Sequence, residues 1–595
     1  MTPRSGPLSF SGKEWRPRAE VQPCHVEVAQ SLGVGEWFAP LLAGRRLESV
    51  EGARAYFQPR LTDLADPSGM LGMDQAVHRL VQALERGEKI AIFGDYDVDG
   101  ATSSALLARY FRGLGSPARV YIPNRFTEGY GPNPQAMETL AAEGVKVVVT
   151  VDCGITAFEA LERAVEVGLE VIVTDHHQPR DHGALPSALA ILDPNQPGDE
   201  FPHKELAGVG VAFYLAMALN RALDQRGWFS AGRVKPDLKL LLDLVAVGTI
   251  ADMAKLSGLN RLLVSHGLNL ASRTTNAGLR AMFRRIGWKD FDPSQPLGAG
   301  KVGFHVGPRI NAAGRLGECS LGYELLATDD PGLADEIAGR LELANRERQQ
   351  LEEVVLNEAL ERIATEGLLE GRLGLVVSGE GWHAGVVGIV ASRLVERFHR
   401  PTAVVAVEEG SGVCRGSARS ISGVNLLAAV AAAAPLLNHY GGHAAAAGFH
   451  LSRENLAAFS DTFDAAIRRD NPPEVFSPWL AVDGPLSLDQ SHHAVEAVRH
   501  LQPFGRGNPV PVFVVRRVMV EQTVVMKERH IRCQLRDERG HGMEALAFGV
   551  YPGPLGEGLM AAEGRTVDVA GVVEKEKFRG VERLRWMMQD ARAAG

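Results

Sequence analysis

Three short apolar runs, KIAIF (89–93), VKVVVTV (145–151) and LEVIVT (169–174), each stop at acids or histidines. The first runs into DYDVDG (95–100), the second into DCG (152–154) and the third into DHH (175–177). Runs this short and β-branched, alternating with helical patterns over 101–113 and in FEALERAVEVG, predict buried parallel strands with helices on both faces. Sites in such sheets form beyond the carboxyl ends of the strands. One acid at a strand end is an ordinary helix N-cap. Three sets at three strand ends predict a convergent site.

Asp95, Asp97 and Asp99 crowd three carboxylates into six residues, which repel unless a cation neutralises them. D-x-D-x-D-G also opens a calcium-binding helix–loop–helix. That loop needs a bidentate Glu at its twelfth position, where this chain has Leu106, and a helix rather than a strand before it. A fourth contributor is Asp252, at the end of the apolar segment LLLDLVAVGTIADMA. Carboxylates with one or two imidazoles suit Mg2+ or Mn2+ better than zinc. The acids Asp95, Asp97, Asp99, Asp152 and Asp252 exceed what one divalent ion needs. A pair of ions neutralises them better, and a two-metal site is built for in-line attack on phosphorus.

The rest of the chain sets the frame. A length of 595 residues implies three or four domains. A net charge of −9 argues against a generally basic nucleic-acid coat while allowing a local basic track. Five scattered cysteines without a CxxC pair fit a reducing cytosol and no zinc site. MTPRSGPLSFSGKEW shows no apolar signal region, and LLAAVAAAAPLL (426–437) is too short to span a bilayer and reads as a core helix. The expectation is a soluble, cytoplasmic protein without a membrane role.

Residues 331–364 carry one apolar stripe, Ile337, Leu341, Ala344, Leu351 and Val355, opposite a charged face, and predict a long linker helix. GLVVSGEGWHAGVVGIVASRL then reads as strand–loop–helix of a second α/β domain. RGSARS (415–420) and GPRINAAGR (307–315) read as small-residue loops in which arginines and backbone N–H groups approach phosphate. Beyond NPPEVFSP (471–478), short β-rich runs with glycine punctuation fit a small barrel. Residues 501–536 hold seven Arg or Lys (506, 516, 517, 527, 529, 532, 536) against Glu521 and Glu528, a local basic strip. Phe504, Phe513 and Trp586 are either base-stacking or barrel-core residues.

DYDVDG, VDCG, TDHH and IADM, in that order, resemble the DHH phosphoesterase superfamily. YIPNRFTEGYG, GPRINAAGR, GWHAGVVGIVASRL, RGSARS, GGHAAAAGF and LQPFGRGNPVPVF narrow the resemblance to its RecJ family of single-strand-specific DNA exonucleases, from about residue 80 to 590. Many superfamily members carry a metal-binding His where this chain has Phe93. RecJ proteins characteristically lack it, so the departure favours that branch. Val98 and Ala384 also depart from common family residues without touching a ligand.

The resemblance implies an α/β fold with a parallel-sheet DHH domain, a long linker helix, a second smaller α/β domain and a C-terminal OB-like β-barrel. It divides the chain into an N-terminal lead-in of short helices (1–75), a catalytic core (76–325), the linker (326–365), a nucleic-acid-binding α/β domain (366–470) and an OB-like DNA-binding domain (471–595). It implies two ions, Mn2+ or Mg2+, ligated by Asp97, Asp99, Asp152, His176 and Asp252. Asp95 either ligates or orients a ligand, and His177 either meets the substrate phosphate or the attacking water or supports a ligand by hydrogen bonding. Nucleic-acid contacts fall to Arg309, Asn311, Arg315, Ser417, Arg419, Ser420, Gly441, Gly442 and His443, with Arg125 for a terminal 5′ phosphate. The implied reaction is 5′→3′ hydrolysis of single-stranded DNA to nucleoside 5′-monophosphates in repair and recombination. The implied protein is a monomer, with single-strand-binding protein and a recombination helicase as candidate partners. The alternative is a DHH phosphodiesterase on short oligonucleotides or cyclic dinucleotides, which usually lacks the barrel.

Overall fold

The computed structural model describes residues 8–595 apart from 125–126, 181–182, 231, 289–296, 411 and 579–580. The chain divides into two compact units, Pro59–Gln349 with Pro503–Pro509, and Met1–Gln58 with Gln350–Gln502 and Val510–Gly595. Among the described residues, no helix is long and apolar enough to cross a membrane.

The first unit is built on β1 (Lys89–Gly94), β2 (Arg119–Tyr121), β3 (Val145–Val151), β4 (Glu170–Thr174) and β5 (Ala190–Leu192). They form one sheet in the order β2-β1-β3-β4-β5, with every pair parallel. The runs expected from sequence are β1, β3 and β4. The three-residue edge strands β2 and β5 were not expected, because runs that short carry no periodicity to read. The inner strands are near-continuously apolar because helices cover both faces. Fully burying a side chain such as Ile92 or Val149 stabilises by about 1.5–3 kcal/mol.

The helix expected over 101–113 begins earlier, at Val98, and runs to Gly113. Its N-cap is Asp97, whose side chain accepts from Gly100 N at 3.0 Å. The acidic motif is therefore the first turn of a helix, and only glycine fits at position 100. A Cβ there would lie 2.4 Å from Asp95 O. The long helix Pro331–Thr365 matches the predicted stripe, with Ile337, Leu341, Ala344 and Val355 buried.

The second unit holds a five-stranded sheet and a barrel. β6 (Leu375–Glu380), β7 (Thr402–Val407), β8 (Val413–Arg419), β9 (Leu437–His443) and β10 (Ala446–Ser452) lie in the order β9-β10-β8-β7-β6. Only the β6–β7 pair is parallel. β11 (Phe513–Met526), β12 (His530–Arg536), β13 (Gly542–Ala547), β14 (Thr566–Phe578) and β15 (Val581–Ala593) close as β11-β12-β13-β15-β14. Closure removes the exposed edges. Phe513 and Trp586 are buried in this unit, which places both among core residues.

Three local readings need correction. RGSARS is not a loop: most of it lies on β8, where Gly416 is required because a Cβ would meet the Phe449 ring. GPRINAAGR is the helix Gly307–Arg315, since its small residues permit close packing. The N-terminal segment is more than short helices. Its strand Glu14–Pro17 pairs in parallel with Trp479–Val482, and Trp15 Nε1 donates to Asp590 Oδ2 at 3.0 Å.

Candidate metal centre

Sheet register does the first placement. Gly94, Val151, Thr174 and Leu192 are in line across β1, β3, β4 and β5. The next residues, Asp95, Asp152, Asp175 and Asp193, therefore leave the sheet at one level. The strand order reverses between β1 and β3, the crevice where open parallel sheets bind ligands.

Asp152 adopts a left-handed backbone, φ 59°, which Asp tolerates better than bulkier residues. Its side chain is buried, and its Oδ1 lies 3.1 Å from His176 Nε2. Neither of these buried atoms has a hydrogen-bond partner among the described residues. Leaving both unsatisfied costs about 1–3 kcal/mol each. A shared cation removes that cost. Asp99 Oδ2 lies 3.9 Å from the same nitrogen. The two Asp99 oxygens also accept from Gly208 N and Val209 N, each at 2.8 Å, at the positive end of the helix Gly208–Gln225. Gly208 permits this approach, since a Cβ there would lie 2.8 Å from Asp152 Oδ1.

Potential ligand atoms gather within 4.8 Å of one another in overlapping groups: Asp95, Asp97 and Asp152; Asp99, His176 and Asp252; and Asp152, His176 and His177. The first two groups share no residue, so the arrangement offers two positions for a divalent ion. Burial first, then Asp252 and Asp97, holds Asp99 well above the usual carboxylate range. Burial, then Asp99, Asp97 and Asp95, does the same to Asp152. Burial and Asp97 push Asp252 up to about 7, against the opposing charges of His177 and Arg506. Carboxylates this reluctant to ionise together fit a site completed by cations.

The two histidines separate by environment. Burial, then His177, brings His176 down to about 4, leaving the neutral imidazole that metal ligation needs. For His177 burial acts downward but is outweighed by Asp175, hydrogen-bonded Nδ1 to Oδ1 at 2.7 Å, which with Asp252 and Asp97 raises it to about 9. His177 is thus a half-exposed cation with its other ring nitrogen free of that bond.

Asp175, expected only as part of the convergent DHH set, and Asn195, which was not singled out from sequence, both support the site. Asp175 is buried and also accepts from Ile155 N at 3.0 Å and His176 N at 2.8 Å. Asn195 Nδ2 donates to His176 O at 2.7 Å. The signal was present in AILDPN (190–195), which repeats the pattern of an apolar run ending in Asp.

The residues expected to meet nucleic acid are dispersed. Asn311 Oδ1 accepts from Val98 N at 3.1 Å and so steadies the acidic turn. Arg309 pairs with Glu342 at 2.5 Å and donates to His305 O at 2.8 Å. Arg315 closes its helix, and Arg125 lies outside the described residues. Ser417, Arg419, Ser420, Gly441, Gly442 and His443 belong to the second unit. There Arg419 donates to Ser417 Oγ at 2.9 Å, and Ser420 Oγ to Val424 O at 2.9 Å. A Cβ on Gly442 would lie 2.3 Å from Ala446 O, and His443 Nδ1 accepts from Ala445 N at 3.2 Å. Gly441 precedes them on β9. The basic strip also divides: Arg506 lies in the first unit, and Arg517 and Arg536 pair with Glu538 and Glu521 at 3.0 Å.

Residues 89–249 match the DHH family, N-terminal domain, 372–469 the DHHA1 domain and 482–590 the RecJ OB domain. A DHH domain whose parallel-sheet edge gathers carboxylates and a neutral imidazole defines a metal-dependent phosphoesterase. The chain is 35% identical over 567 residues to the single-stranded-DNA-specific exonuclease RecJ of Bacillus subtilis, covering 95% of this chain and 69% of the relative. It is 36% identical over 581 residues to the RecJ of Escherichia coli, covering 95% and 97%. RecJ of Thermus thermophilus in complex with Mn2+ matches with a TM-score of 0.81 at 31% identity, over 98% of this chain and 80% of that one. Its complex with Mg2+ matches with a TM-score of 0.73 at 29% identity, over 98% and 78%. The chain belongs to the RecJ family. Those structures hold Mn2+ or Mg2+, and the carboxylate groups and the orphaned Asp152–His176 pair fit either ion.

Proposed function

We propose that this chain is a single-stranded-DNA-specific exonuclease working 5′→3′ and releasing nucleoside 5′-monophosphates in repair and recombination. The observation that carries the reading is the pair of non-overlapping ligand groups at the sheet edge. Asp97, Asp99, Asp152, His176 and Asp252 would hold two ions, Mn2+ or Mg2+, with Asp95 completing the first group. When bound, such a pair polarises the phosphoryl group and stabilises charge on the attacking and leaving oxygens. The His177 cation, held by Asp175, donates a charge-assisted hydrogen bond to a phosphate oxygen. Asn311 keeps the acidic turn in register with that phosphate. In this reading residues 76–325 carry the chemistry, while 366–470 and 471–595 hold the strand. Ser417, Arg419, Ser420, Gly441, Gly442 and His443 face it in the former. We place the protein in the cytoplasm as a monomer, working beside single-strand-binding protein and a recombination helicase. Five free cysteines suit a reducing compartment.

End-labelled single strands with Mn2+ test the reaction. The 5′ label should leave at once as a mononucleotide, while the 3′ label passes through a shrinking ladder. Early release of the 3′ label would reverse the direction, and intact strands in both lanes would remove the nuclease reading.

A second test addresses the barrel unit. Arg516, Lys527, Arg529 and Arg532 are exposed and have no acid within ion-pair distance among the described residues. Replacing all four with Ala should flatten the salt dependence of log affinity for a long single strand by about 3, at about 0.7 per phosphate contact. An unchanged slope would leave them as a solvated face.

A further inference from the structure

The turn at 505–508 belongs to the metal-bearing unit although it lies far along the chain from it. Gly505 N donates to Asn508 O at 2.9 Å and Asn508 N to Gly505 O at 3.1 Å, while the buried Asn508 side chain donates to Pro503 O at 2.7 Å. The turn seats on the segment that follows Asp252: Leu256 N donates to Arg506 O at 2.7 Å. Its flanking glycines make that approach possible. A Cβ on Gly505 would lie 2.7 Å from Leu256 Cδ1, and one on Gly507, at φ 76°, 3.1 Å from Lys255 Cβ.

Arg506 sits at the tip, exposed. Its guanidinium donates to Met253 O at 3.3 Å, one residue past Asp252, and meets no acid within ion-pair distance among the described residues. Met253 itself follows Asp252 directly and is exposed, with a left-handed backbone, φ 61°. A guanidinium has five donors, and one carbonyl leaves most of them unused. An anchored backbone that holds a cation without a close ion pair among the described residues, beside a phosphoesterase centre, is a phosphate clamp in form. Its charge also acts on Asp252 from this side.

We infer that Arg506 is a positioning residue that grips a backbone phosphate of the single strand on the Asp252 side of the metal centre. This rests on the nuclease reading. The grip falls on a phosphate other than the one being cut, so it fixes the strand rather than the reacting atoms.

The test reads rapid-mixing binding, before the first cleavage, of the full chain loaded with Mn2+ to oligonucleotides in which one methylphosphonate, a neutral linkage, is moved stepwise from the 5′ end. Wild-type binding should weaken about tenfold at one position, as expected for one charge-assisted contact. Arg506→Ala should weaken binding of the unmodified strand about tenfold and become indifferent to that position. Its salt slope should fall by about 0.7. Arg506→Gln keeps a donor for Met253 O without the charge and should behave as Arg506→Ala, which separates the clamp from a purely structural turn. Variants that keep the wild-type position dependence or salt slope overturn the assignment of Arg506 alone. A wild-type protein that binds and cuts no single strand overturns it together with the nuclease reading.

Discussion

Asp152→Asn is expected to slow single-turnover hydrolysis at least about a thousandfold, equivalent to roughly 4 kcal/mol of lost transition-state stabilisation. Asp152 stands in the first ligand group and faces His176 of the second, so one substitution weakens both ion positions. Asn fills the same volume beside Gly208 and is at home at φ 59°, so the fold should survive. Removing a charge from a buried carboxylate cluster should leave the thermal midpoint without metal unchanged or higher. Metal content, turnover and thermal midpoint measured on one preparation decide it. Near-normal turnover with full metal occupancy would take Asp152 out of the site.

The second large effect is a stability that depends on pH and metal together. Asp252 rises from 3.8 to about 7, so its contribution is fully present below the unfolded value and is lost as pH rises through 7. Asp99 and Asp152, held well above the usual range, act in the same direction. His177, raised from 6.5 to about 9, contributes below 6.5 and loses that contribution as pH rises through 9. His176, lowered from 6.5 to about 4, opposes the acids only between those values. Above pH 6.5 these shifts align. Chelated protein should therefore be less stable at pH 8.5 than at pH 6.5 by at least about 2 kcal/mol, with His177 discounted for its exposure. Mn2+ should erase or invert the trend, because ions replace the protons the cluster needs. Denaturant midpoints at the two pH values, with and without metal, report it. Equal midpoints in chelator would show that the acids are already neutralised within the protein.

How much of this was legible depended on whether a signal was local. Strands β1, β3 and β4 were readable because each is a continuous apolar run, and their shared level followed from a parallel sheet. The early start of the helix at Val98 was hidden because Asp97 serves as cap and candidate ligand at once. The strand character of RGSARS was hidden because its glycine answers to Phe449, thirty-three residues on. Arg309 looked free for phosphate, but its partner Glu342 comes from a distant helix. The split between His176 and His177 was likewise invisible: adjacent identical residues differ only through what burial and Asp175 do to each.

The seating of Arg506 against the Met253–Leu256 segment bears on the order in which the protein is made. The candidate ligands from Asp95 to Asp252 leave the ribosome long before the turn that packs beside them, which trails by about 250 residues. At a synthesis rate of about 5–20 residues per second, that gap lasts roughly 12–50 seconds. During this interval a nascent chain carries every carboxylate of the cluster but lacks the arginine that seats beside Asp252. The carboxylate cluster is therefore complete in the chain well before the turn that seats against it, which joins only once synthesis has passed Pro509.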